Sequence, residues 1–282
     1  EDTRPKNFSE LVRISGFSHG TDVWLNNAQD LIRSGTVKLE EAISTRDDVM
    51  NYLIEHGVRP LTAFKVMENV RKGKGLEKGG SNNKAELDAA HVPQWFIDSC
   101  LKIGYLFPRA HAVAYVMMAF RIAWFKVYQP LAYYAAYFTI RAEGSFNAPV
   151  ILKGLESQKA ELARIAALEH STAVEKGNAT VIEVAAEMYL RGMEFLPIDL
   201  DRSDASEFKM VDGKLLPPFN CIPALGDAVA KEIVRARDEH LFTSKEDLKK
   251  RGKVSQSIID TMDSMGILKN MPDEEQISLF SF

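Results

Sequence analysis

The chain has 282 residues, 46% hydrophobic and 26% charged, with a net charge of −4. That is enough apolar side chain for two domains with real cores and too much for a disordered chain, and the slight acidity argues against a nucleic-acid surface covering the whole molecule. No window approaches about eighteen uncharged apolar residues, the N-terminus shows no basic stretch leading into an apolar one, and Cys100 and Cys221 are too far apart for a disulfide framework or a zinc site. A cytosolic (cytoplasmic) protein with no membrane partner is expected. The chain opens on Glu1 without an initiator Met and reads as a piece of something longer.

In chain order, a short helix is expected over Phe8 to Ile14, ending at Gly16. Ser18 to Trp24 is turn-rich, with Asp22 placed to cap a helix carrying Trp24, Leu25, Ala28, Leu31 and Ile32, and with His19 hydrogen-bonded within the turn. Helices follow over Leu39 to Ala42, Arg46 to Glu55 and Leu61 to Lys72, punctuated by Gly57 and Pro60. Thr45 is an N-cap with Asp48 three residues on, and Asp47 and Asp48 both suit the positive end of the helix dipole. The basic run Arg71 to Lys74 leads into a Gly-, Lys-, Ser- and Asn-rich loop over Gly73 to Asn83. Ala85 to Ala90 and a helix started by Pro93 through Trp95, Phe96, Cys100 and Ile103 deliver the chain to its central stretch.

Between Gly104 and Ala142, the residues Val113, Val116, Met117, Phe120, Ala123, Trp124 and Val127 recur at helical steps, giving one long amphipathic helix that stops before Pro130 and restarts at Leu131. His111, Tyr115 and Met118 share a face, and Arg121 and Lys126 set cations among aromatics, so that face can meet a phosphate or a base as well as a core. Phe107-Pro-Arg-Ala-His111-Ala-Val-Ala-Tyr115, then Arg121-Ile-Ala-Trp124-Phe125-Lys126 and the sequel from Pro130, resemble the fingers of C-family replicative DNA polymerases, most closely the PolC type, the polymerase III alpha subunit of low-GC Gram-positive bacteria. The string from Gly16 to Trp24 is similar to the same family. The resemblance implies that Tyr115 stacks near the incoming deoxynucleoside triphosphate, with Phe107 and His111 lining the same pocket. Arg109 stands where lysine is expected, keeps its charge and, by the same resemblance, counts among the nucleotide-binding residues. Arg46, Lys65 and Arg71 become candidates for holding the triphosphate or the template.

Further on, apolar residues from Val150 to Leu168 and from Val181 to Leu190 form two more helical stripes. The period then changes. Phe195 to Leu200 is strand-like, and Phe208 to Leu216 carries the Asp212-Gly213 signature of a tight hairpin. A metal-pair reading of Asp199 and Asp201 is set aside, because the resemblance puts the metal-binding aspartates in a palm upstream of Glu1.

Ile222 to Arg237, with Gly226 at its turn, resembles a helix-hairpin-helix, whose backbone N–H groups approach a DNA phosphate closely. Ser244 to Leu248 and Val254 to Gly266 look like the second half of a tandem pair, with Ser255 as a cap, and Lys231, Arg235, Arg237 and Lys250 supply cations for the duplex. Near the end, Gln276, Ile277, Leu279 and Phe280 are similar to the bacterial sliding-clamp-binding motif.

The expected architecture is mainly α: an all-helical fingers domain over 1–194, a small α+β duplex-binding module with tandem helix-hairpin-helix over 195–270, and a clamp-binding tail over 271–282. The resemblance implies template-directed DNA synthesis by a longer chain that binds primer-template DNA, nucleotides, the beta sliding clamp and other replisome subunits. It also implies an exonuclease and a PHP-like domain upstream, and Mg2+ held by the palm, so this stretch alone should not polymerise. Two other readings stand beside it, a non-catalytic DNA-binding and clamp-tethering module and a repair protein built on hairpin-helices.

Overall fold

The computed structural model describes residues 2–77, 82–141 and 144–274. The chain divides into two compact units, Glu1–Ala123 and Trp124–Phe282. The expected boundary at 194/195 lies inside the second unit, where Phe138 and Phe146 from before it pack with Phe195 and Phe208 from after it, at ring centroid distances of 5.1 to 5.6 Å.

The first unit is built on helices joined by turns, running through α1 (Phe8–His19), a π-turn (Trp24–Ala28) leading into α2 (Gln29–Arg33), α3 (Arg46–Glu55), α4 (Pro60–Val70), α5 (Asn83–Ala89), α6 (Gln94–Lys102) and the start of α7 (Arg109–Tyr128). Its core gathers Val49, Leu53, Val66, Leu87, Phe96, Cys100 and Leu106. Tyr52 of α3 stacks on Phe96 of α6 at 4.2 Å. The α3 boundaries fall where the Thr45 and Asp48 capping pattern places them, with both halves of the capping box present.

Three expectations fail in this unit. Helix α1 does not stop at Gly16 but continues to His19, and Gly16 is buried in it because a Cβ there would lie 2.6 Å from the Ser44 carbonyl oxygen. The glycine serves a close approach and not a helix end. Asp22 does not cap the following helix; it adopts φ 57° and its carboxylate lies against Gly104, while Val23 takes the N-terminal position of the π-turn. Leu39 to Ala42 forms turns without a helix, closed by the Glu41 carboxylate accepting from the Lys38 N–H at 2.8 Å.

The second unit takes in the end of α7, then α8 (Pro130–Arg141), α9 (Ala148–Ile151), α10 (Leu155–Ala166), α11 (Ala173–Leu190), an antiparallel hairpin of β1 (Lys209–Val211) and β2 (Lys214–Leu216), α12 (Asp227–Glu239), α13 (Lys245–Arg251) and α14 (Gln256–Ser264). The break between α7 and α8 falls at Pro130, as its missing N–H and ring demand. The expected stripe from Ala148 to Leu168 is two helices, parted by Gly154 at φ +94°. In the hairpin Met210 pairs with Leu215, and Asp212 and Gly213 both take positive φ (52° and 76°), the mirror-image turn that matches strand twist. Phe195 to Leu200 is not a strand. It contributes a single parallel bridge from Phe195 to Leu215 and then turns about Asp199, whose carboxylate accepts from the N–H groups of Asp201 and Arg202.

Candidate nucleotide and nucleic-acid surfaces

A ladder of rings runs from the segment before α7 into its first two turns. Phe107 stacks on His111 at 4.8 Å and 19°, and His111 meets Tyr115 at 4.5 Å and 47°. Tyr105 adds an edge to Phe107 at 5.0 Å. The four-residue step along α7 puts His111 and Tyr115 one above the other, and Tyr115 at the end of the ladder is 56% exposed. The structure thus brings together Phe107, His111 and Tyr115.

His19 joins them, its ring centroid lying 5.6 to 6.1 Å from those of Phe107, His111 and Tyr115. Its Nδ1 lies 2.7 Å from the Ser15 carbonyl, one turn back along α1, which fixes the ring. Beside it an apolar cavity of about 450 Å³ opens between α1 and α7, walled by Leu11, Ile14, Tyr115, Val116 and Phe120. Sequence reading confined His19 to a local turn, and nothing in the chain order signals a contact across nearly ninety residues.

The candidate cations of this unit differ in their freedom. The Arg46 N–H donates to the Phe107 carbonyl at 3.0 Å, and the Leu106 N–H donates to the Arg71 carbonyl at 3.2 Å. Arg71 forks onto Glu68, at 2.8 Å for its Nη2, and Lys72 reaches the same carboxylate at 3.0 Å. Together they hold the Glu68 carboxyl down at about 2. Arg109 is paired with Asp48. Among the described residues, the side chains of Arg46 and Lys65 have no ion pair.

The amphipathic expectation for α7 does not hold. Only Ala112 and Val116 are buried, whereas Met118, Phe120, Ile122, Trp124, Phe125 and Tyr128 are about half exposed or more. By length and composition α7 is, among the described residues, the one helix that could cross a membrane. Arg121 and Lys126 interrupt its apolar surface.

In the second unit, Gly226 stands at the N-cap of α12 with φ −79°, and a Cβ there would meet nothing within 4 Å. A cavity of about 700 Å³ adjoins the hairpin, lined in part by Phe146, Asn178, Asn220 and Ala224. Two serines cap the helices that follow: Ser244 Oγ accepts from the Asp247 N–H at 3.0 Å at the start of α13, and Ser255 Oγ from the Ile258 N–H at 3.4 Å at the start of α14. At the C-terminus of α13, a Cβ on Gly252 would lie 2.7 Å from the Leu248 carbonyl oxygen, so the turn there leaves no room for a side chain.

The four cations assigned to this module divide into two kinds. Lys231 and Lys250 are exposed and have no ion pair among the described residues. Arg235 is forked onto Glu232 at 2.9 and 3.1 Å and also reaches Glu239; these pairs raise its pKa and, with Lys253, hold the Glu232 carboxyl at about 2. Arg237 is turned inward, with only 9% of its side chain exposed, and donates to the Ser203 carbonyl at 2.6 Å. After α14 the chain is fastened back to α13: the N–H groups of Lys245 and Glu246 donate to the carbonyls of Pro272 and Asp273 at 2.9 and 3.0 Å. Gln276, Ile277, Leu279 and Phe280 lie outside the described residues.

Residues 1–91 match the family model of the bacterial DNA polymerase III alpha subunit finger domain, and residues 192–277 match a helix-hairpin-helix motif. Over 279 residues, 99% of its length, the chain is 54% identical to the DNA polymerase III PolC-type of Thermotoga maritima. It is 52% identical over 281 residues to that of Bacillus subtilis and 50% identical over 280 to that of Clostridium perfringens. The chain belongs to the PolC-type family of DNA polymerase III. It spans about a fifth of the length of these PolC-type relatives, 20% of the first and 19% of the other two. The finger-domain match ends before α7 begins, so the ring ladder falls outside both family models but inside the alignment to whole PolC-type chains. Among the described residues, no group of three or more His, Cys, Asp or Glu stands close enough to hold a metal ion.

Proposed function

We propose that this stretch positions the incoming deoxynucleoside triphosphate and the primer-template duplex within a longer DNA-directed DNA polymerase acting in the cytoplasm. The functional division follows the fingers over 1–194, the duplex-binding module over 195–270 and the tail over 271–282. The observation that carries the reading is the exposed Tyr115 at the end of the Phe107 and His111 ladder, in a chain of the PolC-type family. A ring held rigid by stacked neighbours offers a base a flat surface with little entropy left to lose. Arg46 and Lys65, whose charges are free of ion pairs among the described residues, meet the triphosphate, with Arg71 as a third candidate, and holding a substrate in register is a large part of what phosphoryl transfer needs. The catalytic metal and its carboxylates belong to the part of the polymerase outside this chain.

In the second unit, the hairpin at Gly226 presents the N-terminus of α12 to a phosphate, and Lys231 and Lys250 supply unpaired charge. Such contacts read duplex shape and not sequence. The tail residues Gln276, Ile277, Leu279 and Phe280 dock on the sliding clamp, which keeps the enzyme on its template among the other replisome subunits.

The test is Tyr115→Ala in the intact polymerase. The KM for nucleotide rises or turnover falls, while the Kd for primer-template stays near the parent value. Loss of duplex binding with unaltered nucleotide kinetics would return Tyr115 to a structural role.

A further inference from the structure

The first turn of α7 is fastened to the start of α3 by contacts from consecutive residues. The Phe107 carbonyl accepts the Arg46 N–H at 3.0 Å, the Asp47 carboxylate accepts the Arg109 N–H at 2.6 Å, and Asp48 Oδ1 accepts from Arg109 Nη2. Asp47 thereby occupies the positive end of α7, where unsatisfied N–H groups favour a carboxylate. Asp48 is itself only 8% exposed. Its Oδ2 accepts from Ser44 N and Oγ at 3.0 and 2.7 Å and from Thr45 N and Oγ1 at 2.8 and 3.0 Å, with Arg13 Nη1 at 3.5 Å. A carboxylate gripped by that many donors cannot swing, so the guanidinium it holds is fixed as well. Phe107 and His111 flank Arg109 at two residues on either side, and Tyr115 follows one turn later.

We propose that Asp48, acting through Arg109, is a positioning residue for the Phe107, His111 and Tyr115 ladder, and that Arg109 serves α3 and not the triphosphate. The proposal rests on the nucleotide reading of that ladder. Arg109 is expected from sequence to be a nucleotide ligand; the geometry gives its charge to a buried carboxylate and its N–H to a second one. The chemistry of the partnership is orientation. If α7 loses its hold on α3, the rings still stack on one another but present Tyr115 at a different angle to whatever lies against it.

The experiment uses the intact polymerase, with the Tyr115 ring fluorinated for 19F NMR, and compares Arg109→Met and Asp48→Asn with the parent. In the nucleotide-free enzyme the Tyr115 resonance is expected to move in both variants. Nucleotide kcat/KM is expected to fall by roughly tenfold, as misplacement of a binding surface does. On a Tyr115→Ala background the same substitutions should cost about twofold or less, because residues acting through one another are not additive. Inhibition by pyrophosphate stays unchanged. An unmoved Tyr115 resonance overturns the proposal. So does a loss that persists on the Tyr115→Ala background together with weaker pyrophosphate inhibition, which would make Arg109 a phosphate ligand. Should the resonance move while Tyr115→Ala leaves nucleotide kinetics untouched, the fastening stands and it is the nucleotide reading of the ladder that fails. Arg109→Met keeps the test open if Asp48→Asn does not fold, since Asp48 retains Ser44, Thr45 and Arg13 in that variant.

Discussion

Arg237 of α12 donates to the carbonyl of Ser203 at 2.6 Å, across 34 positions of sequence, and so belongs to the inside of its unit. Lys231, two turns earlier on the same helix, faces solvent with no ion pair among the described residues. Arg237→Ala is therefore expected to cost about 1–3 kcal/mol of stability by leaving buried carbonyls unpaired, as measured by urea unfolding.

Lys231→Glu and Lys250→Glu should behave oppositely. Each is expected to weaken primer-template binding and to reduce the slope of log K against log salt by about one, with the unfolding midpoint nearly unchanged. A salt titration with labelled duplex separates these two from Arg237, and an unchanged slope in both would remove the duplex contact from this face.

Gly73 has φ +67°, and a Cβ there would lie 2.5 Å from the Gly104 carbonyl oxygen. Gly73→Ala thus combines an unfavourable backbone region with a clash against backbone that cannot step aside. Destabilisation of roughly 2 kcal/mol or more is expected, read as a lowered Tm. Gly57, also at positive φ but with nothing within 4 Å of a Cβ, should show only the conformational part of that loss.

Burial pushes the Asp48 carboxyl up, but the charge of Arg13, the hydrogen bond from Ser44 and the contact with Arg109 outweigh it and hold the group below the ordinary carboxylate value. A lowered folded pKa contributes stability that is present above the unfolded value, near 3.8, and is lost as pH falls through the folded one. Acid unfolding of the first unit should therefore steepen below about pH 4. In Asp48→Asn that limb should flatten, with stability at neutral pH reduced; thermal melts from pH 2 to 7 check both.

Burial raises the thiols of Cys100 and Cys221 above their ordinary range. Native protein should resist iodoacetamide at both sites and react fully only after unfolding, a contrast that mass spectrometry of digests would read directly.

Local chemistry made part of this molecule legible. The Thr45 and Asp48 pairing fixed the start of α3, Pro130 fixed the break between α7 and α8, and Asp212-Gly213 fixed the hairpin, because each acts within a few residues. Gly16, Asp22 and Phe195 depart from their local signals since what decides them arrives from elsewhere: the Ser44 carbonyl, Gly104 and Leu215. The candidate site shows the same divide. Helical spacing makes His111 and Tyr115 neighbours and the family resemblance adds Phe107, but His19 comes to them through the packing of α1. Charge could be counted in the sequence, whereas whether a cation is spent on an internal partner, as in Arg71, Arg109, Arg235 and Arg237, depends on the fold.

Gly226 has an ordinary backbone conformation and open space where a side chain would go, so the isolated molecule places no demand on this position for glycine. Alanine there would leave the fold untouched or slightly firmer, because it removes freedom from the unfolded chain alone. Any intolerance to a methyl group at residue 226 would be a property of what docks on the hairpin. That makes it a silent reporter in the free protein and a steric gauge of the distance at which a phosphate arrives.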